Sequence, residues 1–213
     1  MKKLLVKICG LQSQRDVDML DEQVVHLCGF IFHEKSPRNM SIESVKTIQT
    51  YSMKRVGVFV NQDADQIRRI MDKCRLDYAQ LHGNQTAKNA LTIGASKVIR
   101  VMWPMRYHDR ESLEKAMEEY IESSAYFLMD AALSSGGSGQ KINCDYLHNI
   151  CSKKQWFLAG GLTYENLEKA LNKYSPDGVD INSGVESIDA AGRPFKDIEK
   201  IQKIMRLLRG MQR

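Results

Sequence analysis

The sequence predicts an α/β fold of the (β/α)8 type, eight parallel strands ringed by helices, on three observations. Eight short apolar runs recur along the 213 residues, stretches of helical pattern separate them, and several runs end in glycine or in one chemically capable side chain. A chain of this length can bury a core as a single barrel domain over residues 1–213, near the lower end of the usual barrel size. The runner-up is an open doubly wound sheet. No Gly-x-Gly-x-x-Gly follows the first run, which argues against a dinucleotide site.

The first strand, residues 4–9, is apolar apart from Lys7. Residues 14–23 read as helix, with Val17 and Leu20 on one side. The second strand covers 24–32 and is rich in Val, Phe and Ile. Ser36-Pro37-Arg38 is a loop, because proline lacks a donor and restricts its predecessor. Ser41 is a good N-cap for a helix over 44–51. The third strand spans 55–60, and Asp63 caps a helix running through Cys74. The fourth spans 76–81, ends at His82-Gly83 and precedes a helix over 85–93. The fifth spans 97–102, and the charge density of 111–122 predicts an exposed helix. The sixth is 126–130. A glycine-rich loop and a short helix over 145–152 follow it. The seventh, 155–159, is closed by Gly160-Gly161, with a helix starting at Thr163. The eighth is 178–181, and the last helix 197–208.

Net charge is +5; an anionic substrate is one reading of it, and an ordinary solvated surface is the stronger one. Lys and Arg are spread along the chain. The densest group (Lys200, Lys203, Arg206, Arg209, Arg213) has no interleaved aromatics, so no nucleic-acid partner is expected. Five cysteines without a CxxC point to a reducing compartment with no disulfide framework and no zinc site. The five histidines show no ligand spacing such as HxxxH, so no metal is expected. The N-terminus begins like a signal peptide, but Lys7 interrupts the apolar run and no small-residue cleavage site follows. No run approaches 18 apolar residues. A cytoplasmic enzyme without a membrane partner is the expectation.

Barrel enzymes keep their chemistry at the carboxyl ends of the strands. Cys9 closes the first run and Asp130 the sixth; a base and an acid facing one substrate suit a proton-transfer isomerase. The bland reading of Cys9 is a small buried hydrophobe, and that of Asp130 is capping or loop bonding. Lys7 and Cys9 share a face because strand side chains alternate, and a nearby cation favours the thiolate. Arg38 alone is a surface charge; at a barrel mouth its planar fork suits a carboxylate. Gly160-Gly161 and Ser183-Gly184 follow strands seven and eight, the usual barrel positions for phosphate.

Together these stretches resemble the phosphoribosylanthranilate isomerase family. The resemblance rests on Lys7-Ile8-Cys9-Gly10, Gly29-Phe30-Ile31-Phe32 with Ser36-Pro37-Arg38, residues 56–61, Gln80-Leu81-His82-Gly83, Asp130 with residues 136–139, residues 158–162, and Val179-Asp180 with Ser183-Gly184-Val185-Glu186. It implies a TIM barrel that performs an Amadori rearrangement in tryptophan biosynthesis without a cofactor. It places the general base on Cys9, the general acid on Asp130 and the anthranilate-carboxylate arginine on Arg38. It places phosphate on Gly137, Ser138, Gly160, Gly161, Ser183 and Gly184. Lys7, His82 and Asp180 are expected in support, and a monomer or homodimer acting on a small phosphorylated substrate is expected. Ser138 stands where the family usually has Thr, Asn182 where Ser is usual, and the family's aromatic-acidic-Trp segment is not preserved around Ile142-Asn143-Cys144.

The alternatives fit less well. A metal-dependent epimerase would need His and Asp ligands at strand ends, where only His82 qualifies. An indole-glycerol-phosphate synthase would need a longer N-terminal extension. A non-catalytic phosphate-binding barrel would not need both Cys9 and Asp130. The implied mechanism wants a thiolate beside a protonated carboxyl, the reverse of unperturbed values of about 8.5 and about 3.9. Lys7 is expected to lower the thiol, with Asp180 on strand eight partly offsetting it. The anionic substrate and exclusion of water are expected to raise Asp130 on binding.

Overall fold

The computed structural model describes residues 4–130, 145–148 and 150–211. Eight strands, β1 (Leu5–Ile8), β2 (Leu27–Phe32), β3 (Lys54–Phe59), β4 (Tyr78–Leu81), β5 (Val98–Met102), β6 (Tyr126–Asp130), β7 (Trp156–Ala159) and β8 (Gly178–Ile181), pair in parallel in chain order. β8 returns to β1 with Lys7 opposite Asp180, which closes the barrel.

Alternation along each strand sends every second side chain inward. Leu27, Val56, Ile99, Val101, Leu128, Phe157 and Ala159 form the interior cluster, with Leu5, Tyr78 and Tyr126 packed against it. Tyr126 meets Tyr78 and Phe157 edge-on at 5.7 and 5.6 Å between ring centres. Gly178 makes room for Phe157, since a Cβ there would lie 2.6 Å from the ring. Two residues further along their strands, Leu5, Tyr78 and Gly178 give way to Lys7, Gln80 and Asp180, all buried. The barrel therefore has an apolar floor and a polar layer toward the carboxyl ends.

Seven α-helices surround the strands among the described residues: α1 (Gln14–Asp21), α2 (Ile42–Thr47), α3 (Ala64–Cys74), α4 (Ala87–Ile93), α5 (Arg110–Glu118), α6 (Tyr164–Tyr174) and α7 (Ile198–Met211). Their starts follow capping chemistry: Ser13 with Asp16 and Asp63 with Gln66 form reciprocal capping boxes. Arg55, buried on β3, donates to the carbonyls of Cys74, Ile48 and Val45, and so satisfies the ends of α3 and α2.

Three local expectations change. Between β6 and β7 the described chain shows a 3₁₀ turn, Asp145–Leu147, where the sequence predicts a helix over 145–152. Leu147 is buried and the Tyr146 hydroxyl donates to the carbonyls of Pro104 and Tyr107, so tertiary anchoring replaces helical continuation. The charged helix α5 stops at Glu118 rather than 122, and a 3₁₀ turn, Ile121–Ser123, follows it. After β8 comes an unexpected antiparallel hairpin, β9 (Glu186–Ile188) and β10 (Pro194–Lys196), too short for a periodic signal. Its turn is held by Arg193, which donates through Nε and Nη2 to Asp189.

Candidate active site

Cys9 follows β1 directly, and Gly10 after it adopts φ +75°, a left-handed conformation that glycine reaches without Cβ strain. A side chain at Gly10 would lie 2.7 Å from both the Arg38 stem and Asn182 Oδ1. The turn after the thiol thus wedges between these two residues. Gly29 on β2 plays a similar part from the other side. A Cβ there would sit 2.7 Å from Cys9 Sγ and 3.2 Å from Lys7 Nζ. The space occupied by the thiol and the ammonium exists because position 29 has no side chain.

Lys7 is fully buried, and its ammonium donates to Asp180 Oδ2 at 2.7 Å across the β1–β8 ladder. Burial works against the Lys7 charge, but Asp180 and Cys9 outweigh it and hold the ammonium above its ordinary value. For Cys9 the balance falls the other way. Burial pushes the thiol up; Lys7 pulls it down as expected, Asp180 adds to the rise, and the net result is a raised value. The expectation that the ligand-free site favours the thiolate is corrected on this point. At 4% exposure the thiol loses more to desolvation than one half-neutralised ammonium returns.

Asp130 is the last residue of β6, and His82, just past β4, places Nε2 3.5 Å from its Oδ2. Burial holds the imidazole below its ordinary value, with Asp130 and Asp180 offsetting part of that. His82 packs edge-on against Trp103 at 5.6 Å, and Arg106 lies over the other ring at 4.1 Å. Among the described residues, buried Asp180 Oδ1 and His82 Nδ1 have no hydrogen-bond partner. Both are polar atoms of the same end of the barrel.

Arg38 reaches the mouth from the loop after β2, and its fork is engaged. Nε donates to Glu186 Oε1 at 2.7 Å and Nη2 to Oε2 at 2.5 Å. Glu186 Oε1 also accepts from Lys196 Nζ at 2.7 Å, and Lys196 further donates to Asn182 O and Oδ1. Burial would raise the Glu186 carboxyl, but Arg38 and Lys196 hold it below its usual range. Lys196 itself is pushed down by burial despite Glu186.

Gly160 and Gly161 follow β7 with φ of +97° and +71°, and Asn166 on the first turn of α6 donates to the Gly161 carbonyl at 2.9 Å. Ser183 and Gly184 lie in a 3₁₀ turn after β8. A Cβ on Gly184 would strike the Leu162 carbonyl, so the loops after β7 and β8 touch there. Gly137 and Ser138, with Ile142-Asn143-Cys144, lie outside the described residues.

The fold therefore brings Cys9, Lys7, Asp180, Arg38, His82, Asp130 and the two later glycine loops to one end. Lys196, the space that Gly29 leaves for the thiol and the pairing role of Glu186 escape a reading of the sequence. Glu186 was visible as the end of Ser183-Gly184-Val185-Glu186, and Gly29 as part of a motif, but Lys196 carried no local signal. Among the described residues no group of three or more His, Cys, Asp or Glu could hold a metal ion, and no helix is long and apolar enough to cross a membrane.

Residues 6–206 match the family model described as N-(5′-phosphoribosyl)anthranilate (PRA) isomerase. An N-(5′-phosphoribosyl)anthranilate isomerase of Desulfovibrio desulfuricans is 48% identical over 198 residues, covering 93% of this chain and 92% of that protein. The Pelobacter propionicus protein of the same name is 36% identical, with 95% and 94% covered. The solved phosphoribosyl anthranilate isomerase of Thermotoga maritima superposes with a TM-score of 0.83 at 27% identity, over 98% of this chain and all of that one. The likeness thus runs through every strand end described above, and the chain belongs to the N-(5′-phosphoribosyl)anthranilate isomerase family.

Proposed function

We propose that Cys9 and Asp130 are the general base and acid that convert N-(5′-phosphoribosyl)anthranilate to 1-(2-carboxyphenylamino)-1-deoxyribulose 5-phosphate. The observation that carries this is the placement of a buried thiol and a carboxylate at the carboxyl ends of β1 and β6, three strands apart around one barrel mouth. Asp130 gives its proton to the furanose ring oxygen as the C1–O bond breaks, and the anthranilate nitrogen lone pair forms the C1=N bond. Cys9, as thiolate, removes the C2 proton; that electron pair becomes C1=C2 and the C=N pair returns to nitrogen. The enolamine then gains a proton at C1 and loses the one on its C2 hydroxyl, leaving the ketone. Atoms and electrons balance within the substrate, so the chemistry needs no cofactor.

Lys7 and Lys196 supply positive charge beside the developing thiolate, and both favour it. Asp180 fixes Lys7, and His82 faces Asp130. Arg38 takes the anthranilate carboxylate. The backbone of Gly160, Gly161, Ser183 and Gly184, near the N-terminus of α6, takes the phosphate, with Gly137 and Ser138 assigned there by the resemblance. A relative solved in complex with reduced 1-(o-carboxyphenylamino)-1-deoxyribulose 5-phosphate, 27% identical with a TM-score of 0.76, supports a ligand of this class. Cytoplasmic location follows from a biosynthetic role. A monomer or homodimer is in keeping with a Thermotoga maritima relative described as dimeric.

The test generates the aminoaldose in place from anthranilate and phosphoribosyl pyrophosphate and follows its anthranilate-type fluorescence. Wild type consumes it, and Cys9→Ser consumes it about 10²-fold or more slowly, the usual share of a positioned acid or base. A Cys9→Ser rate close to wild type would remove the thiol from the reaction.

A further inference from the structure

We infer that Glu186 and Lys196 are positioning residues that set Arg38 to receive one carboxylate, making the ortho-carboxylate of the substrate a condition of binding. The inference rests on the reading of Arg38 given above and goes beyond it to the residues that impose the selectivity.

Three observations carry it. The first is how donors are used. Glu186 spends both oxygens on Arg38, taking Nε and Nη2, while Oε1 also accepts from Lys196. A guanidinium has five N–H donors in a rigid fork. Glu186 uses two, which fixes the plane and, among the described residues, leaves the Nη1 edge for a ligand. Lys196 is satisfied elsewhere, by Asn182 O at 3.2 Å and Asn182 Oδ1 at 2.9 Å.

The second is the charge count. Two cations face one anion, and their side chains are only 12%, 5% and 1% exposed for Arg38, Glu186 and Lys196. Lys196 alone would neutralise Glu186. Both cations share the one Glu186 anion, so the cluster keeps a net positive charge at a desolvation cost. That surplus faces the Cys9 thiol on the Lys196 side, and on the Arg38 side it is what a ligand carboxylate would compensate.

The third is connection to the base. Gly10 brings the chain after Cys9 against the Arg38 stem and Asn182. Register on the hairpin pairs Lys196 with Glu186, and Lys200 on α7 ties the Glu186 carbonyl at 2.5 Å. The hairpin that the sequence does not announce is therefore the frame that aims Arg38, and a ligand carboxylate seated on Arg38 is held in register with the thiol.

The experiment compares two probes by calorimetry: reduced 1-(o-carboxyphenylamino)-1-deoxyribulose 5-phosphate, and the same compound without the ring carboxylate. Wild type prefers the carboxylated probe, and Arg38→Ala abolishes the preference. If Arg38→Ala keeps it, the reading of Arg38 fails and the inference falls with it. If Arg38→Ala behaves as expected, Glu186→Gln decides the positioning role separately. It should cut the preference by about tenfold, the scale of coupling between directly bonded neighbours, and leave affinity for the carboxyl-free probe within about twofold. Equal weakening of both probes, or an unchanged preference, would overturn the positioning role and leave Arg38 standing. Glu186→Gln combined with Lys196→Met removes one buried anion and one buried cation together, so no ammonium is stranded. It should show the same loss of preference, and it serves if the single variant does not fold. Failure of both variants to fold would make the pair a scaffold element and overturn the inference.

Discussion

The two sides of the barrel mouth are built differently. On the side of the proposed base, Cys9 lies among Lys7, Asp180 and Gly29, on adjacent strands β8, β1 and β2, at 4% exposure. Ladder register and a missing side chain place it, so its position is part of the fold. On the acid side, Asp130 ends β6 with 13% of its side chain exposed, His82 stands 3.5 Å away, and residues 131–144 follow directly. The difference teaches that the proposed base is tuned by packing, whereas the proposed acid is a strand-end group at the mouth, paired with His82. Changes on the acid side should cost chemistry with little stability, and changes on the base side should cost both.

The largest effect expected is at the acid. Asp130→Asn should lower kcat by about 10²–10⁴-fold while the thermal midpoint moves by about 2 °C or less. A rate within about threefold of wild type would remove Asp130 from the mechanism, and a large loss of stability would erase the contrast between the two sides. Next is Gly29→Ala. Its methyl would meet Cys9 Sγ at 2.7 Å and Lys7 Nζ at 3.2 Å, so thiol and ammonium must shift. Displacements near 1 Å can cost about 10²-fold in rate, and overpacking costs about 1–3 kcal/mol. Turnover and denaturant unfolding measured together check both; normal values for each would show that the base side is as tolerant as the acid side.

Lys7→Met sharpens the comparison on electrostatic grounds. Lys7 lowers a thiol that burial raises, so its loss should raise Cys9 further, and each unit gained cuts the thiolate fraction at neutral pH about tenfold. Iodoacetamide alkylation of Cys9 should slow, activity should fall, and both should recover partly as pH rises. The pH series needs Cys28, Cys74, Cys144 and Cys151 replaced by Ser or Ala, although Cys28, pushed up to about 12 by burial, reacts slowly in any case. Pairing Lys7→Met with Asp180→Asn avoids a stranded buried carboxylate. Superimposable alkylation curves for wild type and variant would leave Lys7 as an ion-pair partner alone.

The smallest effect concerns acid stability. Arg38 and Lys196 hold the Glu186 carboxyl below its unfolded value of about 4.3. Its pairing therefore contributes stability above that pH, and the contribution is lost as pH falls through the lower folded value. Thermal midpoints followed from pH 7 down to about 3 should drop less steeply in Glu186→Gln than in wild type. Parallel acid limbs would mean that this cluster adds nothing to the acid transition.

Much of this molecule was determined by local sequence. Eight apolar runs, each bounded by turn or capping residues, dictate eight strands, because alternation of a short buried strand with an amphipathic helix leaves few other ways to cover both faces. Cys9, Asp130 and His82 were legible because they stand where such runs end, and the Lys7–Asp180 pair because β8 must close on β1. The turn at 145–147 and the hairpin at 186–196 were not legible, since three-residue segments have no period and are held by contacts such as Tyr146 on Pro104. The tertiary structure alone decided the rest. Glu186 meets Arg38 across 148 positions of chain, Lys196 joins them through a hairpin register, and Gly29 matters only because two neighbouring side chains fill its space. The sign of the Cys9 shift belongs here too. Alternation shows that Lys7 lies beside the thiol, but only the folded barrel sets how deeply both are buried, and desolvation depends on that depth.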